Sequence, residues 1–315
     1  MKAQTFLGPI SALALTSACE LQQPVHVGPA TFLPNSAAPR VIEVLSPDTV
    51  VCDPLAGNSE PTPTEVRGGI RGRLYSIASW ETCLWQRNCL ILPVQDFLAE
   101  AEDLNLNVFM KDINVPTRAF DAGFETQTGA LIRDPQGVFL YEWFGLDLRA
   151  TVKLANGDAA GHYQFAVISD DGVRFELDHD GMGFRPVVND PLIHAPKLGC
   201  GTRTFELNGE SRIPMRLRYF QGPRFHIALQ LLWRRIPESQ LSNPGFLQSS
   251  NCGNQGVDLF HDSNTVPSTP RPAYEQLLSE GWRPLSPENF VLPETSANNP
   301  CTPTGGGPIG GGIGI

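Results

Sequence analysis

The sequence predicts an all-β protein, an antiparallel β-sandwich with short peripheral helices, and three observations carry that expectation. Apolar and polar residues alternate strictly through several stretches in the middle of the chain, the period of a strand with one buried face. Gly and Pro together make up about 18% of the residues, against roughly 12% in average usage, so turns are frequent. Helical signal, by contrast, is confined to two short segments.

Taken in order, Val41-Ile42-Glu43-Val44-Leu45 suits a first strand, and Val94, Phe97, Leu98 and Leu104 suit a short helix after Pro93. Leu146, Leu148, Val152 and Leu154 then alternate with Asp147, Arg149, Thr151 and Lys153. Tyr163, Phe165 and Val167, followed by Val173, Phe175 and Leu177, repeat the pattern around the turn Ser169-Asp170-Asp171-Gly172. Ile213, Met215, Leu217 and Tyr219 form one apolar face. Phe225, Ile227, Leu229, Leu231 and Trp233 form the face of a partner strand, joined through Gln221-Gly222-Pro223-Arg224. Two sheets sharing such faces make a sandwich. Pro272 to Gly281 reads as a helix with Pro at its start and Gly at its stop.

Around this core the chain divides by composition. Residues 1–18 read as an export signal, with one positive charge at Lys2 and an apolar run too short to span a bilayer. Residues 19–66 hold eight prolines from Glu20 to Val66 and suit an extended linker. The sandwich is expected over 67–236, a Pro-rich wrapping arm over 237–300, and a Gly-rich disordered tail over 301–315. The 315 residues carry 23 basic and 33 acidic side chains, a net charge of −10, which supplies no basic stripe for nucleic acid.

Leu15-Thr16-Ser17-Ala18-Cys19 resembles the bacterial lipobox, in which a thiol after a small residue is diacylated and becomes the new N-terminus. That resemblance implies a lipid anchor on Cys19 and, with Glu20 rather than Asp following it, the outer membrane before the inner. The other reading is an ordinary cleaved signal with Cys19 a spare thiol. Setting Cys19 aside leaves Cys52, Cys83, Cys89, Cys200, Cys252 and Cys301, an even set suited to disulfides in an exported chain. Fifteen pairings are open; Cys83 with Cys89, Cys200 with Cys252 and Cys52 with Cys301 are the candidates. No C-x2-C or H-x3-H pair suggests zinc.

Gly69-Ile70-Arg71-Gly72-Arg73-Leu74-Tyr75, Trp143-Phe144-Gly145, Gly161-His162-Tyr163-Gln164-Phe165 and Ser169-Asp170-Asp171-Gly172-Val173-Arg174-Phe175 occur in that order. Together with Arg216-Leu217-Arg218-Tyr219-Phe220 and Leu229-Gln230-Leu231-Leu232-Trp233, they resemble the protective-antigen-type sandwich domain, PA14, over roughly Gly68 to Arg235. In sugar-binding members two successive aspartates joined by a cis peptide hold calcium, and the same carboxylates receive sugar hydroxyls. The resemblance thus implies Asp170 and Asp171 as metal ligands, calcium as cofactor, and a ligand-binding end built from Asp170, Asp171, Gln221 and Arg224. The segment Gln221–Arg224 lacks the further carboxylate that such members supply. The alternative reading of Asp170-Asp171 is a tight turn, with an Asp capping backbone N–H groups and Gly172 at positive φ.

Asp178-His179-Asp180-Gly181 reads as a hairpin turn. Trp80 and Trp85 beside the Cys83–Cys89 segment suit core filling or sugar stacking. His162, His179, His194 and His226 have no partner at ligand or triad spacing and read as structural or surface residues. No Gly-x-Ser-x-Gly elbow, His-Glu-x-x-His helix, Walker loop or dinucleotide fingerprint occurs. The functional expectation is a lipid-anchored envelope protein, not an enzyme, that binds a glycan or another cell-surface component for adhesion or recognition. The alternative is a structural or assembly protein whose sandwich meets a protein partner without a sugar or metal site.

Overall fold

The computed structural model describes residues 50–55, 66–76, 93–120, 132–133, 137, 139–223, 225–248, 251–265 and 267–301. Fifteen strands and three short helices are described, in the order β1 (Val50–Cys52), β2 (Ile70–Ser76), α1 (Val94–Glu100), β3 (Glu102–Met110), β4 (Asn114–Ala119), β5 (Phe144–Val152), β6 (Gly161–Asp170), β7 (Val173–Leu177), β8 (Arg185–Asp190), β9 (Lys197–Leu207), β10 (Ile213–Gln221), β11 (His226–Ile236), α2 (Pro244–Leu247), β12 (His261–Asp262), β13 (Thr269–Pro270), α3 (Pro272–Ser279), β14 (Arg283–Pro284) and β15 (Phe290–Val291).

An eight-stranded sheet runs β1-β3-β2-β5-β10-β7-β8, with β15 also on β5, and a five-stranded sheet runs β14-β11-β6-β9, with β4 also on β11. Pairing is antiparallel apart from β1 with β3. Leu146, Leu148, Phe175, Leu217 and Tyr219 from one sheet meet Tyr163, Phe165, Val167, Leu229 and Trp233 from the other, and all are buried. Ring contacts such as Phe165 with Phe175 at 5.5 Å and Tyr163 with Trp233 at 4.5 Å lie within this shared core. In β2 the alternation is strict, with Ile70, Gly72, Leu74 and Ser76 buried and Arg71, Arg73 and Tyr75 partly exposed. The eight-stranded sheet takes in β1 from segment 19–66 and β15 from segment 237–300.

Two turns connect elements differently from the sequence expectation. β6 and β7 belong to different sheets, and so do β10 and β11, so the chain passes between layers after Asp170 and after Gln221, where the sequence read a turn and a join to a partner strand. Phe225 does not continue the buried face of β11; it is 71% exposed on the loop before that strand. Gly172 is not among the positive-φ residues. Its need is space: a Cβ there would lie 2.2 Å from the Phe220 ring and 2.8 Å from the Pro191 carbonyl oxygen. Leu104, grouped with the helix by periodicity, lies on β3. The turn after Asp178 is the expected hairpin, pairing β7 with β8 through Gly181 at φ 72°.

The outer faces of the two sheets are treated differently. That of the five-stranded sheet is covered by residues from the later part of the chain, where Ala166, Ile168, Ala228 and Leu232 pack with Phe260, Tyr274, Leu277 and Trp282. Arg234 fixes this cover, donating to Gln164 Oε1 at 2.9 Å and to the Phe246 carbonyl at 2.7 Å while its guanidinium lies 4.6 Å from the Trp282 ring. Cys200 and Cys252 are bonded beside it. The last described segment runs back along the opposite sheet, with Leu292 N donating to Arg67 O, Asn299 Nδ2 to Gly68 O, and Cys301 bonded to Cys52. Cys83, Cys89, Trp80, Trp85, Cys19 and Val41–Leu45 lie outside the described residues.

Because the Cys52–Cys301 bridge spans 249 residues, its loss releases a large loop in the unfolded chain. Replacing both cysteines by Ser is expected to lower stability by about 2–4 kcal/mol in urea unfolding, with the folded β-sheet circular dichroism spectrum unchanged.

Candidate functional site

The two interlayer corners and the β8–β9 loop converge at one end of the sandwich, and the Asp171 carboxylate ties them together. Its Oδ1 accepts from His194 N at 3.0 Å and its Oδ2 from Gly222 N at 2.7 Å. Asp170, still paired with Ala228 in the sheet, offers its backbone carbonyl to the Tyr219 hydroxyl at 2.5 Å. The peptide between the two aspartates is cis. Phe220 N donates to Gly172 O, and the Phe220 ring stacks on Phe97 of α1 at 4.8 Å. Val94 at the start of α1 donates to Pro191 O, so the helix braces the same end.

Both carboxyl groups are buried, Asp170 at 6% and Asp171 at 2% exposure, and they hydrogen-bond each other. Among the described residues no Lys or Arg forms an ion pair with either one. Burial raises both above the ordinary carboxylate range. The adjacent Asp171 charge raises Asp170 further, while the amides of Gly222 and His194 pull Asp171 back down. Burial also lowers His194, which leaves it neutral near pH 7, with Asp190 opposing that shift. Two buried acids with no ion-pair partner among the described residues carry charge that a proton or a bound cation can offset.

A hard cation takes about six to eight oxygens, and this corner offers the carboxylates of Asp170 and Asp171 as its charged donors. Among the described residues no group of three His, Cys, Asp or Glu side chains is clustered for a metal. Two carboxylates supply the charge a hard cation favours but only part of the oxygens it takes.

Gln221 has a different place from the one expected of it. It is fully buried, its Oε1 accepting from Tyr219 and its Nε2 donating to His226 O at 2.8 Å, so it props the corner from inside and presents no ligand group. Arg224 lies outside the described residues. His162 and His179 take no part in the corner's hydrogen bonds, whereas His194 and His226 take part through their backbones, a role no side-chain pattern announces. Gly222 was also missed as a functional position, although its small size is required: a Cβ would lie 2.9 Å from Asp171 Oδ2. On the flanking loops Phe225 is exposed and Leu192 half-exposed, leaving apolar surface on two of the segments that hold Asp171.

No protein-family model matches the chain, and no curated protein matches it. Among solved structures it is similar to a PA14 sugar-binding domain from an RTX adhesin, at 20% identity and TM-score 0.38 over 53% of this chain and 90% of that one. It is similar to the PA14 domain of the MpAFP antifreeze protein at 18% identity and TM-score 0.39, over 58% of this chain and 89% of that one. A third is the epithelial adhesin 6 A domain from Candida glabrata in complex with Galb1-3GlcNAc, at 14% identity and TM-score 0.36 over 61% and 88%.

The raised carboxyls fix the sign of a pH effect. In the metal-free chain the folded state holds protons on Asp170 and Asp171 at pH values where the unfolded chain has released them. Their contribution to stability is therefore fully present below the ordinary value of 3.8 and is lost as pH rises through the folded-state values. Asp53 and Asp112, each pushed up to about 6 mainly by burial, add to the lower part of that slope. The readout is thus a difference: urea unfolding in chelator at pH 5 and pH 8 is expected to show a smaller loss for Asp170→Asn than for wild type.

Proposed function

We propose that this end of the sandwich binds a glycan through calcium held by Asp170 and Asp171, and that the chain is an envelope-anchored recognition protein. The observation that carries the reading is the buried carboxylate pair, with which no Lys or Arg among the described residues forms an ion pair. A divalent cation would offset both charges, and a donor set this small leaves coordination positions to a ligand. Vicinal hydroxyls suit such positions, being neutral oxygen donors at fixed spacing. Phe225 would offer an aromatic face to the apolar C–H side of a pyranose. The protein's own part is to orient the carboxylates: His194 N and Gly222 N hold Asp171, and the Tyr219 hydroxyl holds the Asp170 backbone. The sequence resemblance to PA14 domains supports the same assignment.

Carboxylate charge, not catalysis, is what the corner supplies, so the reading is of a binding protein and not an enzyme. Its proposed setting is the bacterial outer membrane, reached through acyl chains on Cys19. Export to an oxidising compartment agrees with the bonds Cys52–Cys301 and Cys200–Cys252.

Three measurements test the proposal. Millimolar calcium is expected to raise the melting temperature of the chain from Leu21 onward at pH 8, more than at pH 5 because protons compete for the same oxygens. Asp171→Asn is expected to lose that rise; no rise in wild type would move the reading to a sandwich that contacts proteins without metal or sugar. Phe225→Ala should leave the calcium shift intact while weakening retention on a glycan array. For the anchor, Cys19→Ala is expected to move the full chain from the membrane fraction to the soluble fraction.

A further inference from the structure

The outer face of the eight-stranded sheet carries a second feature that the corner does not use. A cavity of about 530 Å³ lies over β2, β5 and β10, walled by Pro293–Ser296 on one side and reached by Phe184 and Arg212. The wall is held in place by Arg67, which donates to the carbonyls of Ser296 at 2.9 Å and Pro293 at 2.8 Å. Four arginines line the cavity, Arg71, Arg73, Arg149 and Arg212, against only Asp147 and Glu294. This concentration of positive charge sits on a chain whose net charge is −10.

The register sharpens the point. Arg71 stands directly opposite Arg149, and Arg149 directly opposite Arg216, so three guanidinium side chains share one row across three neighbouring strands. Like charges directly opposed on adjacent strands destabilise a sheet. Only part of the row is neutralised internally. Arg216 makes a two-point contact with Asp147, at 2.9 and 2.6 Å, which uses the acid nearest to Arg149; Arg149 Nη2 is 3.6 Å from the same carboxylate and its side chain is 51% exposed. Arg71 donates to the neutral amide of Asn107 at 3.1 Å. Arg73 lies 4.0 Å from Asp103, and its Nη1 is buried without an acceptor.

We propose that this trough binds an acidic saccharide, with a carboxylate bridging Arg71 and Arg149. Guanidinium forks match planar oxyanions, and a carboxylate seated between the two would relieve the cross-strand repulsion. The rest of the lining suits the body of a sugar: Thr151 and Thr295 offer hydroxyls, while Tyr75 and Phe184 offer aromatic surface. The site is distinct from the Asp170–Asp171 corner in chemistry, since it selects negative charge where the corner repels it.

Calorimetric titration of the chain from Leu21 onward with trigalacturonate and with uncharged galactotriose, both in chelator, tests the proposal. Trigalacturonate is expected to bind at least tenfold more tightly than galactotriose. The double variant Arg71→Gln/Arg149→Gln should lose at least tenfold in affinity while melting no lower than wild type, because two opposed like charges are gone. Asp171→Asn should bind trigalacturonate as wild type does, which separates this site from the calcium corner. Absence of trigalacturonate binding to wild type, equal binding of the neutral trisaccharide, or unchanged binding by a folded double variant would each overturn it. Should the double variant fail to fold, the comparison of charged and neutral trisaccharides on wild type still decides.

Discussion

Three separate loops are fastened to a single carboxylate, and much of the sandwich's end depends on it. A chain that builds two facing sheets must cross between them, and each crossing leaves backbone N–H groups without a ladder partner. Asp171 satisfies two of these, one from the β8–β9 loop and one from the β10–β11 corner, from its own position on the β6–β7 corner. A buried amide left unpaired costs about 1–3 kcal/mol, so removing this side chain would strand two at once. The solution brings its own cost, because it puts a carboxylate where water is excluded and beside a second one. Stability of the corner and occupancy by a proton or cation are therefore one question.

The neighbours of that corner follow from it. Gly172 and Gly222 are small because Phe220 and the Asp171 carboxylate occupy the space a Cβ would need. Phe220 in turn stacks on Phe97, which explains why a short helix with little propensity of its own is held against this end. Gln221 fills the interior between Tyr219 and His226 O, so the corner is braced from inside as well as capped from outside. A ligand meeting the proposed site would find these residues already fixed, which would lower the ordering cost of binding.

How much of this was legible depends on what sets each feature. Strand alternation is written in the side chains, so Tyr163, Phe165, Val167, Met215 and Leu217 were readable as core. Alternation also says nothing about which sheet a strand joins, and that is why β11 read as the partner strand of β10 although the two lie in different sheets. Phe225 was misread because hydrophobicity alone cannot separate the last buried position of a strand from the first exposed position of a loop. At the site, Asp170 and Asp171 stood out because their chemistry lies in their side chains. His194 and Gly222 act through backbone amides, which any residue carries, so no composition or spacing marks them. The row of Arg71, Arg149 and Arg216 was invisible for another reason: it exists only through the register of β2, β5 and β10, strands far apart in the chain.

The two outer faces then acquire different physical characters from one architectural asymmetry. The later part of the chain covers the five-stranded sheet and converts its outer face into a second apolar core, so Arg234 there is sealed by Gln164, Phe246 and Trp282. On the eight-stranded sheet the returning segment crosses as a narrow wall at Pro293–Ser296, and Arg71, Arg73, Arg149 and Arg212 line the cavity beside it. An acidic chain repels anions at a distance, but that field is screened beyond about 8 Å at physiological ionic strength. Recognition of an anion in the trough would therefore act at contact, through guanidinium geometry, and not through long-range attraction. Selectivity there would rest on how well an anion fits the row of arginines, whereas at the corner it would rest on which neutral oxygens complete a cation's shell.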